Sequence, residues 1–325
     1  MFKTISKHRM KSGQTAEIGV IEAPDPAETE RVAQLYCHKS LHWRRQLELA
    51  LLDKCDLLES RIYGALLEGV IVASACCFER HGAGILSHVH THEVHRRQGL
   101  CSAVLGALFE GFKERGGWSM VLGTTFESPA YWIYHAFGFR SLRGGFMQWM
   151  VPGTEEIASG WFDGTDARVV EARWEHWPLV CHLAATPAPL DVRHVGWQLP
   201  DVGLLEREYL QTLLDVGEAK ATARILETPS GAVVGAATRA PHAYWHDVAL
   251  VDVLYHPDYA EHMPGLLAAL DLGNSRCLAY ADVRDMPKRE ALGRAGFKQV
   301  GQLPGLALEE CRPAEVALYH HDPRT

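Results

Sequence analysis

The sequence contains two sets of landmarks in the same order. Gly69-Val-Ile-Val-Ala-Ser-Ala has a counterpart in Gly231-Ala-Val-Val-Gly-Ala-Ala, and Gly138-Phe139 has one in Gly296-Phe297. From the first glycine to the phenylalanine the spacing is 70 residues in one set and 66 in the other. Unrelated α/β domains can share a glycine-bounded strand, but matching order and spacing together favour an internal duplication. A chain of 325 residues is also long enough for two domains.

The predicted boundary lies between residues 152 and 164, where periodicity lapses and Gly and acidic residues cluster. We therefore expect domains at residues 1–155 and 156–325. Hydrophobic periodicity in the first half predicts the order β-α-α-β-β-β-α-β-α-β. The predicted strands are 17–23, 61–67, 70–77, 85–91, 120–124 and 146–151, and the helices are 26–37, 43–52, 102–115 and 130–137.

Two local features sharpen this pattern. Glu68-Gly69 separates two apolar runs and predicts a tight hairpin turn. In the segment 102–115, one helical stripe carries the apolar residues and the opposite stripe carries the charged ones. The apolar stripe consists of Val104, Leu105, Leu108, Phe109 and Phe112. We expect this helix to pack against a sheet.

The run Arg96-Arg97-Gln98-Gly99-Leu100-Cys101 joins a strand ending near Thr91 to that helix. A helix amino terminus offers free backbone N–H groups and a favourable dipole to an anion. The arginines add positive charge, and Gly99 lets the main chain approach a diphosphate closely. Ser102 is expected to cap the helix or to donate a further hydrogen bond. The run is thus a candidate phosphate-binding turn.

This turn resembles the signature Arg/Gln-x-x-Gly-x-Gly/Ala of the GNAT superfamily of N-acyltransferases, although Cys101 replaces the last small residue. A larger residue there narrows the space for a pyrophosphate without abolishing the turn. A second family motif, Ala-x-x-x-Tyr-x-x-x-Gly-Phe, is matched from Ala130 through Tyr134 to Phe139. The resemblance covers residues 17–151. It implies an α/β fold class with two tandem GNAT-like domains, each a mixed, mostly antiparallel sheet flanked by helices.

The resemblance implies an acyl-CoA-dependent N-acyltransferase of the EC 2.3.1 type. Acetyl-CoA would be held by the turn and along the strand, at Val89, Thr91, Arg96, Arg97, Gln98, Gly99, Leu100, Cys101 and Ser102, with Tyr131 as a further contact. A substrate amine would attack the thioester directly. Tyr134 matches the position of the family's general acid, and a phenol with a pKa near 10 is protonated at neutral pH and can donate to the thiolate.

The general base is less evident, because the usual positions fall on Ile85 and Ser87, which cannot accept a proton usefully. The strand instead carries His88, His90 and His92 in alternation. Their parity is opposite to the usual one, and a strand bulge would reverse it. We rank His90 first and His88 second. A water chain or Glu79 on the preceding strand is the alternative base.

Alternate histidines on one strand also suit a metal ion, because their imidazoles can converge on it. No Cys or carboxylate partner is evident on another element, so histidines with local partners are the preferred interpretation, and no metal is expected.

The second half retains the scaffold but loses this chemistry. Ala260 replaces Arg96, Met263 replaces Gly99, and Leu292 stands where Tyr134 stands in the first half. A diphosphate would meet Glu261. One coenzyme A per chain is therefore expected, in the first half. Tandem GNAT proteins such as the mycothiol-synthase-like enzymes usually keep the carboxy-terminal half active, so this chain departs from that pattern.

Composition limits the partners. The net charge is −8 and no Lys/Arg block occurs, which argues against a nucleic-acid partner. The eight cysteines form no CxxC pair, and no apolar run is long enough for a membrane span, so a reduced, cytoplasmic monomer or homodimer is expected. The predicted acceptor is a primary amine of a small molecule or peptide. The alternative function is a non-catalytic acyl-CoA-binding or sensor protein.

Overall fold

The computed structural model describes residues 1–187, 190, 192–197, 205–306 and 314–324. Cys311 lies outside the described residues, and the seven described cysteines are free thiols. Contacts group the chain into two units, which are residues 1–122 with 149–158 and residues 123–148 with 159–325. The domain boundary expected between residues 155 and 156 stays a prediction. No described helix is long and apolar enough to cross a membrane.

An eight-stranded sheet carries the first set of landmarks, in the order β1-β2-β3-β4-β5-β6-β8-β7. Its strands are β1 (Lys3–Arg9), β2 (Thr15–Glu22), β3 (Glu59–Leu67), β4 (Val70–Arg80), β5 (Ala83–Thr91), β6 (Ser119–Gly123), β7 (Arg140–Arg143) and β8 (Phe146–Met150). The helices are α1 (Thr29–Leu35), α2 (Leu41–Leu51), α3 (Leu100–Glu114) and α4 (Pro129–Ala136). Pairing is antiparallel from β1 to β5, whereas β5 and β6 are parallel.

The predicted element order was wrong in omitting β1 and β7. These are the two edge strands of the sheet. Most residues of β1 and β7 are exposed, so neither strand shows the alternation of apolar and polar residues that marks a half-buried strand. Polar and charged residues on an edge strand discourage pairing with another chain, which accounts for their weak signal.

The hairpin turn is confirmed at Glu68-Gly69. Both residues have positive φ, 50° and 85°, as a two-residue type I′ turn requires, and this turn matches the twist of the two strands that it joins. The predicted apolar stripe of α3 is also confirmed, since Val104, Leu105, Leu108, Phe109 and Phe112 are all buried.

The helices of the first unit cover opposite faces of β4. Glu79 of β4 bonds Arg115 beside the end of α3, whereas Cys76 of β4 contacts Tyr36 beside the end of α1. Because side chains alternate along a strand, these residues of odd and even number point to opposite faces. Strand β4 is therefore buried on both faces, and β5 is its hydrogen-bonded neighbour.

The second sheet has seven strands in the order β9-β10-β11-β12-β13-β15-β14. They are β9 (Arg168–Glu171), β10 (Thr222–Glu227), β11 (Val233–Pro241), β12 (Val248–Tyr255), β13 (Arg276–Asp282), β14 (Lys298–Leu306) and β15 (Ala314–His321). Helices are α5 (Glu155–Gly160), α6 (His176–Ala185), α7 (Leu205–Gly217), α8 (Met263–Ala268) and α9 (Met286–Arg294). This order matches β2 through β7 of the first sheet, including the parallel pair at β12–β13. The tandem arrangement of two such sheets is confirmed.

Candidate active site

Strands β5 and β6 separate after a short parallel ladder. The ladder pairs Ala83–Ile85 with Ser119–Val121, but β5 continues to Thr91. Beyond Ile85 the two strands no longer pair, and the backbone of β5 on that side is open to another hydrogen-bonding chain. A ligand carrying amide groups can enter such an opening.

A bulge of the kind that would reverse the parity of the histidines occurs in this open part of β5. Ser87 pairs with Cys76 and His90 pairs with Ser74, so two residues of β5, His88 and Val89, oppose one residue of β4. His88 has a positive φ of 53°, which is unusual for a residue other than glycine. The bulge interrupts the strict alternation of the histidines and places Ser87 and His90 on the same face of the strand.

The basic turn joins β5 to α3 directly. A single turn of 3₁₀-helix covers Glu93–His95, then Arg96 is extended, and Arg97 and Gly99 have positive φ values of 65° and 84°. Gly99 is the N-cap of α3. The first backbone N–H groups of a helix have no partner within it, so those of the residues that follow Gly99 are available to an anion.

One histidine, one carboxylate and one backbone carbonyl hold the basic turn in place. Arg96 donates through Nε to the carbonyl oxygen of Thr91 at 3.2 Å and lies 3.4 Å from the carboxylate of Glu93. His8 of β1 contacts the carbonyl oxygen of Gln98 through Nε2 at 3.1 Å. Sequence reasoning missed His8, because its strand was not predicted and its partner lies 90 residues away.

The predicted reason for glycine at position 99 is the close approach of a diphosphate, but the structure gives another reason within the chain itself. A Cβ there would lie 2.8 Å from Nε2 of His8, and the φ of 84° is costly for other residues. The prediction that Ser102 caps α3 was wrong, because Ser102 is the third residue of the helix and Gly99 is its cap. Ser102 instead lines a groove of about 540 Å³ beside β1.

Leu100 and Cys101 form the first two residues of α3. Leu100 is buried and anchors the start of the helix, whereas Cys101 is half-buried. Burial raises the pKa of the Cys101 thiol, so the thiol stays protonated at neutral pH. Cys101 therefore contributes volume, but no negative charge, where the family has Gly or Ala.

His88 lies in an aromatic enclosure, which consists of Tyr36, Trp43 and Phe78. The ring centroids are 5.1, 5.0 and 5.9 Å from that of His88. His88 is only 5% exposed, and its Nε2 has no hydrogen-bond partner among the described residues. Burial lowers the pKa of His88 to about 3, because a charged imidazolium is costly away from water. His88 is thus neutral throughout the physiological range.

His90 is more accessible than His88. Its ring lies 4.2 Å from that of His38, in the segment between α1 and α2. Burial, followed by the charge that His38 can carry, lowers the pKa of His90 to about 4. His90 is neutral at pH 7 and able to accept a proton. His92 follows the end of β5 and is exposed.

Glu79 is occupied by two arginines. It pairs with Arg61 and accepts from Nε of Arg115 at 2.6 Å, and it points to the face of β4 opposite Tyr36 and Cys76. Both carboxylate oxygens of Glu79 are thus engaged with guanidinium groups. We therefore set aside Glu79 as the alternative base.

Tyr131 and Tyr134 lie on α4, which belongs to the second unit. Ser128 caps this helix by accepting from the backbone N–H of Tyr131 at 3.2 Å. Both tyrosines are largely buried, at 6% and 8% exposed. The ring of Tyr131 packs on Phe126 at 5.3 Å, and that of Tyr134 lies 6.2 Å from Phe139. The spacing Tyr-x-x-x-Gly-Phe thus places the rings of Tyr134 and Phe139 next to each other.

The corresponding turn of the second half is filled by its own side chains. Met263 and Tyr259 are buried at 1% and 0% exposed, and Leu292 is buried in the same core. The turn contains Glu261 instead of an arginine and carries no glycine at its helix start. Among the described residues of the whole chain, no group of three or more His, Cys, Asp or Glu side chains is arranged to hold a metal ion.

The model of the FR47-like protein family matches residues 62–147. The Salmonella typhimurium protein YncA, solved with its cofactor acetyl-CoA, is 14% identical with a TM-score of 0.39, covering 49% of this chain and 94% of that one. Ribosomal-protein-S5-alanine acetyltransferase from Vibrio fischeri is 13% identical, with a TM-score of 0.37 and coverages of 50% and 95%. PaiA N-acetyltransferase from Thermoplasma acidophilum, in complex with coenzyme A, is 12% identical, with a TM-score of 0.34 and coverages of 41% and 99%. A search among curated proteins finds no match.

The segment matched by the family model contains the bulged strand, the basic turn and α3. Residues 62–147 are therefore similar to the FR47-like family.

Proposed function

We propose that this protein is an acyl-CoA-dependent N-acyltransferase that transfers acetyl from acetyl-CoA to a primary amine of a small molecule or peptide. The observation that carries the proposal is the continuity of three features in one stretch of chain. Strand β5 separates from β6 beyond Ile85, carries a bulge at His88–Val89, and leads through the basic turn into the open amino terminus of α3.

These features fit the parts of coenzyme A. Its diphosphate would accept from the N–H groups that follow Gly99 and would lie near Arg96 and Arg97. Its pantetheine amides would pair with the open backbone of β5 from Val89 to Thr91. The thioester would then lie near the bulge. Gln98, Leu100, Cys101 and Ser102 complete the proposed binding segment.

His90 is the proposed general base because it is accessible as well as neutral. A pKa of about 4 is too low to take a proton from a free ammonium ion. Once the amine has attacked, its nitrogen is a stronger acid than the free ammonium ion, so this is the step at which His90 would accept a proton. The acceptor must therefore arrive as a neutral amine, and His90 removes the proton released by the attack.

His88 is less suited to that step, since its ring is enclosed by three aromatic side chains. It is the second candidate and would act on the acceptor only if Trp43 or Tyr36 moved. Tyr134 is the proposed general acid for the departing thiolate, an assignment that rests on its place in the Ala130-to-Phe139 motif. The turn of the second half is closed by Met263 and Tyr259, so that half is not proposed to bind coenzyme A.

The direct test is release of free coenzyme A from acetyl-CoA across a panel of primary amines. We expect acceptor-dependent release with at least one amine class and a transfer product of matching mass. Coenzyme A binding without acceptor-dependent release across amino acids, polyamines, aminoglycosides and peptides would instead identify an acyl-CoA-binding or sensor protein.

The catalytic assignments are tested by two matched pairs of variants. Tyr134→Phe should lower turnover at least tenfold while leaving coenzyme A affinity nearly unchanged, whereas Trp132→Phe, at an exposed position of the same helix, should be neutral. His90→Asn should lower turnover and shift the pH profile, whereas His92→Asn should not. Unchanged turnover in Tyr134→Phe or His90→Asn removes that residue from the mechanism.

A further inference from the structure

A cavity of about 460 Å³ lies in the second unit, at the amino-terminal ends of β12 and β13. Its lining is dominated by cations, although the whole chain has a net charge of −8. Of the described lining residues, Asp247 alone is acidic. The basic ones are Lys220, Arg239, His246, Arg276 and Arg324. A concave surface lined by one sign of charge concentrates ions of the other sign.

Of the four lysine and arginine side chains, two already have carboxylate partners and two do not. Lys220 pairs with Glu218 at 2.5 Å, and Arg324 pairs with Asp322 at 3.0 Å. Within the described part of the chain, neither Arg239 nor Arg276 takes part in an ion pair. The surplus positive charge of the cavity is therefore concentrated on Arg239 and Arg276, which lie on β11 and β13, the strands on either side of β12.

In the described part of the structure, one hydrogen-bond donor of Arg239 has an acceptor and another does not. Its Nη2 donates to Oγ of Ser275 at 2.9 Å, which holds the guanidinium group in the cavity wall. Its Nε is buried and has no acceptor among the described residues. A buried donor without an acceptor costs free energy that an anionic ligand oxygen would recover.

The loop between β11 and β12 carries two exposed aromatic side chains immediately before His246 in the sequence. Tyr244 and Trp245 are 81% and 59% exposed, and the next residue, His246, is part of the cavity lining. Aromatic side chains so exposed to water are available for stacking, and nucleobases stack on them whatever their sequence. A basic cavity and a stacking surface thus lie side by side in the chain.

We propose that this cavity binds a nucleoside phosphate, with the phosphate against Arg239 and Arg276 and the base against Tyr244 or Trp245. A volume of about 460 Å³ is within the usual range for small-molecule sites. Asp247 would accept from a ribose hydroxyl or a base amino group. The site does not depend on the acetyl transfer proposed above.

This site is separate from the place that corresponds to the coenzyme A turn. That turn corresponds to residues 256–263, at the carboxyl end of β12, whereas the cavity lies at the amino end. The eight residues of β12 separate the two ends by roughly 23 Å at about 3.3 Å per residue.

The test is calorimetric titration of the full chain with ADP, adenosine and inorganic pyrophosphate. We expect ADP to bind more tightly than either part, with an affinity that falls as salt is raised. Arg239→Gln should weaken ADP binding at least tenfold. Arg276→Gln, at an exposed position where a folding defect is not expected, should weaken it several-fold, and Arg168→Gln, an exposed arginine of the same unit, should have no effect.

Trp245→Ala and Tyr244→Ala, singly or together, should weaken ADP and adenosine binding but leave pyrophosphate binding unchanged. Because ADP is also part of coenzyme A, Arg97→Gln in the first unit is the decisive contrast. Loss of ADP binding in Arg97→Gln with no effect of Arg239→Gln or Arg276→Gln would overturn the proposal. Pyrophosphate binding equal to ADP binding, or no ADP binding at millimolar concentration, would overturn it as well.

Discussion

Burial of a neutral histidine should make the first unit sensitive to mild acid. In the unfolded chain His88 has an ordinary pKa near 6.5, and in the folded chain its pKa is about 3. As the pH falls, the unfolded state binds the proton first. The contribution of His88 is therefore complete above pH 6.5 and is lost progressively as the pH falls toward 3.

The magnitude follows from these two pKa values. Between pH 7 and pH 5, protonation stabilises an unfolded-state imidazole by about 2 kcal/mol, while the folded His88 binds almost no proton. His88→Asn removes this difference. Asn is chosen because it tolerates the positive φ at this position better than most residues. The free energy of unfolding of the variant should be lower than that of the parent at pH 7. At pH 5 the difference between the two should be smaller by about 2 kcal/mol.

Urea unfolding at both pH values, followed by circular dichroism and tryptophan fluorescence, measures this difference. His92→Asn, four residues further along the chain and exposed, is the control and should lose as much stability as the parent between the two pH values. The reasoning is refuted if His88→Asn and the parent lose equal stability on acidification. It is also refuted if nuclear magnetic resonance shows the His88 ring titrating near pH 6.5.

Three further substitutions test the packing around the two sheets. Glu79→Gln leaves Arg61 without its buried carboxylate partner and should lower the free energy of unfolding, measured in urea, by about 3 kcal/mol. A decrease below about 1 kcal/mol would contradict the importance of this ion-pair network. Gly99→Ala should lower the free energy of unfolding by about 1–2 kcal/mol, because the residue has a positive φ and its Cβ would meet His8. The substitution should also weaken coenzyme A binding. Wild-type affinity for coenzyme A would argue against a role for this turn. Lys288→Met should destabilise the second unit by about 3 kcal/mol, because it removes the ammonium partner of buried Asp252, and the loss should be partly reversed by adding Asp252→Asn. No reversal would mean that Lys288 acts mainly through its packing.

The parts of the fold that could be predicted are those with strong local patterns. The apolar stripe of α3 is repeated along a long helix, and the turn at Glu68-Gly69 depends on two adjacent residues. The duplication was visible because glycine-bounded strands recur at nearly equal spacing. The edge strands β1 and β7 were missed because their residues face water and follow no alternation.

The site was predictable in outline for the same reason. The basic turn and the alternating histidines are local in sequence, but the position of the bulge at His88–Val89 came only from the structure. Long-range partners were not accessible to this reasoning. The contact of His8 with Gln98, the aromatic enclosure of His88 and the arginines around Glu79 all depend on how distant strands and helices pack.

The most direct test of the account is the stoichiometry and location of coenzyme A binding. Isothermal titration of the full chain with coenzyme A should give one site per chain, and Arg97→Gln should weaken that site at least tenfold. Glu261→Gln, in the corresponding turn of the second half, should leave it unchanged. Two equivalent sites, or a single site unaffected by Arg97→Gln, would contradict the assignment of coenzyme A to the turn before α3.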